Sequence, residues 1–238
     1  DMSLGPVNEG WVDLNEADLE QLIGLYDGNL LLADSVVGQV FDALRSTRRF
    51  ENSLIVITSD HGEAFMEHGM LGHNATLFDE MLHVPLMIRL PRGEIPETFD
   101  RDRLASTLDI VPTVLGYVGT APDEELGGID LIHTAPEPAD PRMLFLRTSH
   151  PKNGMVAART TRWKQISWPR LKVQMLFDLE ADADEKHNLV SHHPELYASM
   201  GLRLRRQLVE AAKRRLEAAE VEITPEEEEA LRALGYLD

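Results

Sequence analysis

The run Leu54-Ile-Val-Ile-Thr-Ser-Asp-His-Gly-Glu63 decides how the rest of this chain is interpreted. Leu54 to Thr58 are five residues of strand-forming character without polar alternation, which is typical of a buried strand. They lead directly into Asp60 and His61, and Gly62 permits a sharp turn immediately afterwards. Open α/β sheets keep their chemistry at the carboxyl ends of their strands. The sequence therefore predicts a site on Asp60 and His61 at the end of a buried strand.

The elements around this strand predict a layered α/β domain. Apolar residues at three- and four-residue spacing predict a long helix from Asp13 to about Arg45, with Asp13 and Glu16 as its capping pair. A helix followed by a continuous apolar strand is half of a βαβ unit, so we expect a mostly parallel sheet flanked by helices. Further along, the sequence predicts a short helix over 77–82, a strand within 83–91 and a helix over 110–118 capped by Asp109.

A second, smaller domain is predicted after a proline-rich linker. Three prolines between Thr134 and Pro141 exclude helix and ladder pairing, so the domains are expected to be 1–135 and 136–238. Four short runs beyond the linker predict a small antiparallel sheet, at 143–148, 155–159, 163–167 and 173–179. Two C-terminal helices are predicted after it, one over 194–218 and a short one ending at Leu234.

Composition excludes several classes of partner. The 238 residues carry a net charge of -18, which would repel nucleic acid and anionic membrane surfaces. No run approaches the roughly 20 apolar residues of a membrane span. There is no cysteine, so disulfides, thiol nucleophiles and thiolate metal sites are absent from the sequence. Compartment, whether periplasmic, extracellular or cytoplasmic, and oligomeric state stay open.

Asp60, His61 and His73 are the candidate functional residues. A carboxylate and an imidazole leaving one strand can bind the same divalent cation. The alternative is a plain strand-end turn, in which Asp60 accepts backbone amides and His61 is satisfied in the core. His73, in a loop from the same strand end, could hold an anionic group or protonate a leaving oxygen. We expect Glu63 and His68, which lie between them, to be solvated or to support the ligands.

The order and spacing of these motifs resemble the C-terminal half of the sulfatase family, within the alkaline-phosphatase-like superfamily. The resemblance extends over nearly all of the chain from about Leu19. It is carried by the runs 26–34, 40–44, 53–63, 72–73, 77–80, 83–89, 109–115, 176–179, 185–189 and 230–237.

This resemblance implies an enzyme that hydrolyses sulfate esters of small molecules or glycans at a divalent cation. By motif match, Asp60 and His61 are implied metal ligands, and His73 stands where many family members have a lysine that contacts the sulfate. His73 is thus implied in catalysis and substrate binding, and its contact depends on pH because a neutral imidazole has no charge. His61 beside Asp60 is the variant shared with phosphonate and phosphate ester hydrolases, which shifts the expected ion from calcium toward manganese or zinc.

One part of the family pattern has no counterpart in this sequence. Family members carry an aspartate pair for the metal and a Cys- or Ser-x-Pro-x-Arg motif near the N-terminus, whose first residue becomes the formylglycine nucleophile. Neither a cysteine nor a Ser-x-Pro-x-Arg run occurs here. We therefore expect the chain to be part of a longer enzyme and to be catalytically inert alone. The alternatives are a phosphate or phosphonate ester hydrolase, a phosphomutase-like relative, and a non-catalytic homologue.

Overall fold

The computed structural model describes residues 5–8, 10, 12–73, 76–93, 95–96, 99–120, 126–134, 142–148 and 154–217. The helices are α1 (Gly5–Asn8), α2 (Glu16–Ser46), α3 (Asp79–Leu82), α4 (Ile110–Tyr117) and α5 (Pro194–Glu217). The strands are β1 (Ile55–Thr58), β2 (Ala64–Phe65), β3 (Leu71–Gly72), β4 (Leu86–Arg89), β5 (Leu144–Arg147), β6 (Val156–Arg159), β7 (Trp163–Trp168) and β8 (Val173–Asp178).

Helix α2 begins at a capping box that differs from the predicted one. The Asn15 side chain accepts from Asp18 N at 3.0 Å, and the Asp18 carboxylate accepts from Asn15 N at 3.1 Å. The predicted cap at Asp13 is wrong because Asn15 and Asp18, not Asp13 and Glu16, hold the N-cap and N3 positions.

The apolar face predicted for α2 is covered only in part. Tyr26 packs edge-on against Phe65, and Phe41 packs against Phe50. Leu30, between these two contacts, is exposed, and no residue of α2 is fully buried. The two aromatic contacts therefore hold α2 beside β2 and beside the turn that leads into β1.

Strands β1 and β4 form an antiparallel ribbon in which Thr58 pairs with Leu86 and Ile55 with Arg89. In the part of the chain that the structure describes, the expected mostly parallel pairing does not occur. A parallel return needs a long crossover, usually a helix, to bring the chain back to the start of the first strand. Among the described residues between β1 and β4, the only helix is α3, with four residues, and the chain re-enters beside the end of β1 that it left.

The connection between β1 and β4 folds into a small hairpin followed by α3. In the hairpin, Ala64 of β2 pairs with Gly72 of β3, and both Ala64 and Leu71 are buried. Asn8 of α1 closes its outer edge, because its side-chain amide donates to Leu71 O and accepts from Leu71 N. The hairpin begins and ends beside the carboxyl end of β1.

Helix α4 has the predicted position, but Asp109 has a different role. Ser106 caps the 3-10 turn Thr107–Asp109 that leads into α4. The Asp109 carboxylate is fully buried and makes no cap bond to α4; it accepts from the backbone N–H groups of Ser106 and Ile129 and pairs with Arg142. Asp109 therefore links α4 to the segment that enters β5.

The small antiparallel sheet is confirmed, with strand order β5-β6-β7-β8. Its two faces pack against different partners, because neighbouring residues of a strand point to opposite sides. Ala157 faces a core that includes Leu77, and Ala158 faces a core that includes Met200 and Leu204 of α5. The sheet thus lies between the α/β part of the chain and the C-terminal helix.

The predictions for helix α5, for the linker and for the last short helix have different outcomes. Helix α5 begins at Pro194, as predicted, and is described as far as Glu217. The linker from residue 135, with the boundary at 135/136, and the last short helix lie outside the described residues. Within the described ranges, no helix has the length and apolar character needed to cross a membrane.

Candidate functional site

The carboxyl end of β1 is held in a tight turn by its own polar side chains. Asp60 Oδ1 accepts from the backbone N–H of His61 at 3.0 Å, and Ser59 Oγ donates to His61 O at 2.7 Å. The strand-end turn interpretation correctly describes the contact between Asp60 and a backbone amide, a contact that does not exclude a role as metal ligand. It is wrong for His61, whose side chain is 42% exposed and lies outside the core.

The hydrogen bonds of His61 determine which ring nitrogen is available. His61 Nδ1 lies 2.8 Å from Gly62 O. A carbonyl oxygen can only accept, so Nδ1 carries a proton, and in the neutral ring Nε2 is the nitrogen with the lone pair. A ring nitrogen fixed in this way by a backbone carbonyl leaves the other nitrogen free to bind a metal.

Asp60 and His61 have the spacing of two ligands of one cation. Asp60 Oδ2 and His61 Nε2 lie 3.7 Å apart, and the Asp60 side chain is 64% exposed. With metal–ligand bonds of about 2.0–2.4 Å, both atoms can reach a common divalent ion. Among the residues that the structure describes, no group of three or more His, Cys, Asp and Glu could hold a metal. The pair therefore fits an ion as part of its ligand set.

His73 lies beside this pair, so the structure brings together all three residues predicted from the sequence. Its ring stacks on that of His61 with centroids 4.9 Å apart, and its side chain is 64% exposed. His73 Nδ1 lies 3.3 Å from Glu63 Oε2. Because an ionised carboxylate only accepts, Nδ1 donates to Glu63, and Nε2 is the atom left to meet a ligand.

Gly62 allows α3 to approach the backbone of the site. Its N–H donates to Met81 O at 2.9 Å. A Cβ on residue 62 would lie 1.9 Å from Glu80 O, far inside any tolerable contact. Only glycine therefore fits between His61 and α3.

His68 lies away from the site and joins the hairpin to other elements. Its Nδ1 is 2.8 Å from Glu80 Oε1, its Nε2 is 3.2 Å from Glu185 O, and its ring stacks on Phe78. Both oxygens are acceptors, so this arrangement is fully satisfied only when both ring nitrogens carry hydrogen. The sequence could not indicate this role, because Glu185 is more than a hundred residues away.

Asp60 also borders a cavity of about 530 Å³ between the β1–β4 ribbon and the small sheet. The lining includes three arginines, Arg101, Arg103 and Arg159, two of which are engaged: Arg103 donates to Thr134 O and Arg159 to Asp79. His61 and His73 do not line this cavity. Both imidazole side chains are instead exposed to solvent outside this cavity.

Family models match the chain on both sides of this site. A model described as "Sulfatase" matches residues 7–120, and one described as "N-sulphoglucosamine sulphohydrolase, C-terminal" matches residues 66–214, more than half of the chain. The chain belongs to the sulfatase family. The resemblance predicted from the sequence is thereby confirmed, and Asp60, His61 and His73 lie inside the first matched region.

Relatives of the sulfatase-family chain include proteins of more than one activity. It is 27% identical to arylsulfatase K of Bos taurus over 80% of this chain and 37% of the relative. It is 30% identical to choline-sulfatase of Rhizobium meliloti over 76% of this chain and 35% of the relative. Among solved structures, it is similar to the phosphonate monoester hydrolase of Agrobacterium radiobacter, with 27% identity, a TM-score of 0.65 and coverage of 82% and 43%.

These similarities confirm the predicted α/β class followed by a small antiparallel sheet and a helix. The chain spans just over a third of the length of the curated relatives that it matches. The activity of a whole sulfatase is therefore proposed for this chain and not shown.

Proposed function

We propose that this chain carries part of the active centre of a metal-dependent sulfuric ester hydrolase. Asp60 and His61 bind the divalent cation, and His73 contacts the anionic group of the substrate. The observation that carries the proposal is the convergence of these three side chains at the end of β1. Asp60 and His61 offer ligand atoms 3.7 Å apart, and the ring of His73 stacks 4.9 Å from that of His61.

The residues of this chain have separate tasks in that reaction. A divalent cation bound there would polarise the ester oxygens and stabilise negative charge on them. His61 is held by Gly62 O so that Nε2 faces a ligand. His73 is held by Glu63, and its protonated ring can donate to a sulfate oxygen or give a proton to the leaving oxygen.

The donor set bears on which ion is bound. A carboxylate oxygen suits calcium, and an imidazole nitrogen suits manganese or zinc. We propose calcium first, with manganese or zinc as the alternative. All three ions should therefore be compared in the same titration.

Sulfate esters are favoured over phosphonate esters as substrates. The names of the arylsulfatase K and choline-sulfatase relatives indicate sulfate esters. The second candidate, a phosphate or phosphonate ester hydrolase, is favoured by the similarity to a phosphonate monoester hydrolase and by His61 beside Asp60.

The attacking group has no candidate among these 238 residues, which contain no cysteine and no Ser-x-Pro-x-Arg run. We infer that the formylglycine nucleophile and the remaining metal ligands come from polypeptide outside this sequence. The chain alone is then expected to bind a cation weakly and to show no turnover of an aryl sulfate. Metal-dependent turnover by the isolated chain would overturn this inference.

The metal assignment is tested by titrating the metal-free chain with Ca²⁺, Mn²⁺ and Zn²⁺ in a calorimeter. We expect Asp60→Ala and His61→Ala each to weaken binding at least about tenfold, because each removes a ligand. Paramagnetic broadening by Mn²⁺ should reach the ring protons of His61 and His73 first.

A matched control exists in another Asp–His pair whose imidazole is exposed. His187 Nδ1 lies 3.2 Å from Asp182 Oδ1, and His187 is exposed. His187→Ala should leave the affinity unchanged. Equal binding by the wild type, Asp60→Ala and His61→Ala would overturn the metal assignment.

The role of His73 is tested with anions. In the presence of the best cation, sulfate, phosphate and methylphosphonate are titrated into the wild type and into His73→Ala. We expect the variant to bind sulfate more weakly, and the difference to shrink as the pH rises and the imidazole loses its charge. Preference of the wild type for methylphosphonate over sulfate would favour the second candidate.

A further inference from the structure

A buried cluster of charged side chains joins α3 to the small sheet. Lys164 of β7 is fully buried, and its Nζ lies 2.7 Å from Asp79 Oδ1 and 2.8 Å from Glu185 Oε1. Arg159 of β6 donates to both carboxylate oxygens of Asp79, at 2.5 and 2.7 Å. Glu185 also accepts the backbone N–H of Asp79 at 2.6 Å. The first residue of α3 is thus fixed by two cations and a second carboxylate.

This cluster fixes the relative positions of α3 and the small sheet more than it contributes to the stability of the fold. Buried ion pairs often give no more stability than apolar side chains of the same volume, because the charges must be desolvated. They do, however, fix the relative position of the elements that carry them, because each charge needs its partner at hydrogen-bond distance. Lys164 pairs with Arg159 of β6 on one side and with Phe177 of β8 on the other, so its position is set by the β6–β7–β8 ladder.

The same helix supports the backbone of the candidate site. Two of its residues contact Gly62. Met81 O accepts the Gly62 N–H at 2.9 Å, and Glu80 O lies 1.9 Å from the position that a Cβ of residue 62 would take. Gly62 O in turn accepts from His61 Nδ1. A shift of α3 would therefore displace the turn that orients His61.

The helix also holds the hairpin that leads to His73. Glu80 accepts from His68 Nδ1 at 2.8 Å, and Glu185 O lies 3.2 Å from His68 Nε2. The hairpin containing His68 ends at Gly72, directly before His73. Both imidazoles of the site are thus connected to the buried cluster through α3.

We propose that Lys164 is a positioning residue for the candidate site, acting from the small sheet through Asp79 and α3 on Gly62, His61 and His73. The inference rests on the proposed function for its meaning, because positioning matters only if these imidazoles bind ligands. The structural connection itself can be tested without any metal.

The test is native-state hydrogen exchange and imidazole NMR on the full 238-residue chain, as wild type and as Lys164→Met. The variant keeps the length of the side chain but removes its charge. We expect the Gly62 amide to exchange at least about tenfold faster, and more than amides of β7, because local opening at α3 becomes easier. We also expect the ring resonances of His61 and His73 to shift.

The matched control is Arg162→Met. Arg162 precedes the same strand and pairs with Asp178 at 2.7 Å, away from α3. This variant should leave Gly62 exchange and both imidazole spectra unchanged. Should Lys164→Met not fold, Glu185→Gln carries the same comparison, because it removes one of the two charges that face Lys164 and can still accept from Asp79 N.

The positioning role of Lys164 and the metal site are tested by different measurements. Gly62 exchange that changes no more than that of β7, together with unshifted imidazoles, would overturn the positioning role. A metal titration on the same samples tests the site itself: we expect about tenfold weaker binding in Lys164→Met. Absence of binding in the wild type would overturn the proposed function, while the exchange data would still decide whether Lys164 controls the turn.

Discussion

Gly62 is the residue at which packing and the candidate site meet most closely. Its substitution by alanine would place a Cβ 1.9 Å from the backbone oxygen of Glu80. Backbone cannot move aside as a flexible side chain can, so α3 and the turn must separate. We predict that Gly62→Ala lowers the free energy of unfolding by about 3 kcal/mol, as overpacking does. Urea unfolding followed by circular dichroism measures this change.

Gly28→Ala is the control for that substitution. Gly28 lies in the middle of α2, and a Cβ there would meet nothing within 4 Å. Alanine is the better helix former, so this variant should gain about 0.5–1 kcal/mol. If both variants changed stability in the same direction, the contact between Gly62 and α3 would not be the controlling factor.

Glu185 and Asp79 have pKa shifts of opposite sign although both contact Lys164. Burial raises the pKa of Glu185 above its ordinary value of 4.5, and the nearby Lys164 only partly offsets this. Burial would also raise the pKa of Asp79, but Lys164 and Arg159 together outweigh it and hold that pKa below 3.8. Asp79 therefore stays charged to a lower pH than Glu185 does.

These directions predict how stability depends on pH. Between pH 4.5 and the raised pKa of Glu185, the folded state binds more protons than the unfolded state, so stability falls as the pH rises. Glu185→Gln removes this titration. We predict that the unfolding free energy of the variant, minus that of the wild type, increases with pH across this window. Urea unfolding at several pH values from 4 upward measures it, and a constant difference would contradict the prediction.

At the scale of elements, the start of α2 depends on Asn15. Its side chain accepts the Asp18 N–H, one of the amides that have no partner within the helix. Asn15→Ala should cost about 1 kcal/mol, and amides of the first turn should exchange faster. Asp13→Ala tests the cap predicted from the sequence and should have little effect. A larger loss of stability in Asp13→Ala than in Asn15→Ala would instead support Asp13 as the cap of α2.

Sequence patterns predicted the positions of elements well where the pattern lies within a short stretch of sequence. The strands of the small sheet were predicted to within two residues at each end, because turn residues separate short apolar runs. The antiparallel pairing of β1 with β4 could not be predicted. It depends on how the connection over residues 59–85 folds, through the β2–β3 hairpin and α3, and an apolar run alone does not specify a strand's direction.

The same contrast applies to the candidate site. Asp60, His61 and His73 could be selected from local spacing and family resemblance, and the structure places them together. The support that Glu63 gives to His73 depends on the turn of the hairpin. Lys164 is a buried charged residue of β7, and its partner Asp79 is 85 residues away along the sequence. Such distant pairings have no periodic signature.

At the scale of the whole molecule, buried ion pairs link the α/β part to the small sheet. One is the Lys164 cluster, and the other joins Asp109, fully buried before α4, to Arg142 at the entrance to β5. Arg142 donates to both oxygens of Asp109, at 2.6 and 2.7 Å, and also to Leu104 O. These bonds cross a large separation along the chain, so they determine how the two parts are joined.

Arg142→Met should therefore weaken both the fold and its cooperativity. It leaves the Asp109 carboxylate buried with only backbone N–H partners, which should cost about 3 kcal/mol. Lys213→Met, which breaks an exposed ion pair with Glu210, should cost less than about 1 kcal/mol. Two of the three tryptophans lie in β7, so fluorescence reports mainly on the small sheet, and circular dichroism reports on the whole chain.

If the Asp109–Arg142 pair joins the two parts, the fluorescence and dichroism transitions should coincide in Lys213→Met and separate in Arg142→Met. Coincident transitions in both variants, with equal losses of stability, would mean that the two parts are held together by the apolar contacts of Leu77 and the Lys164 cluster alone.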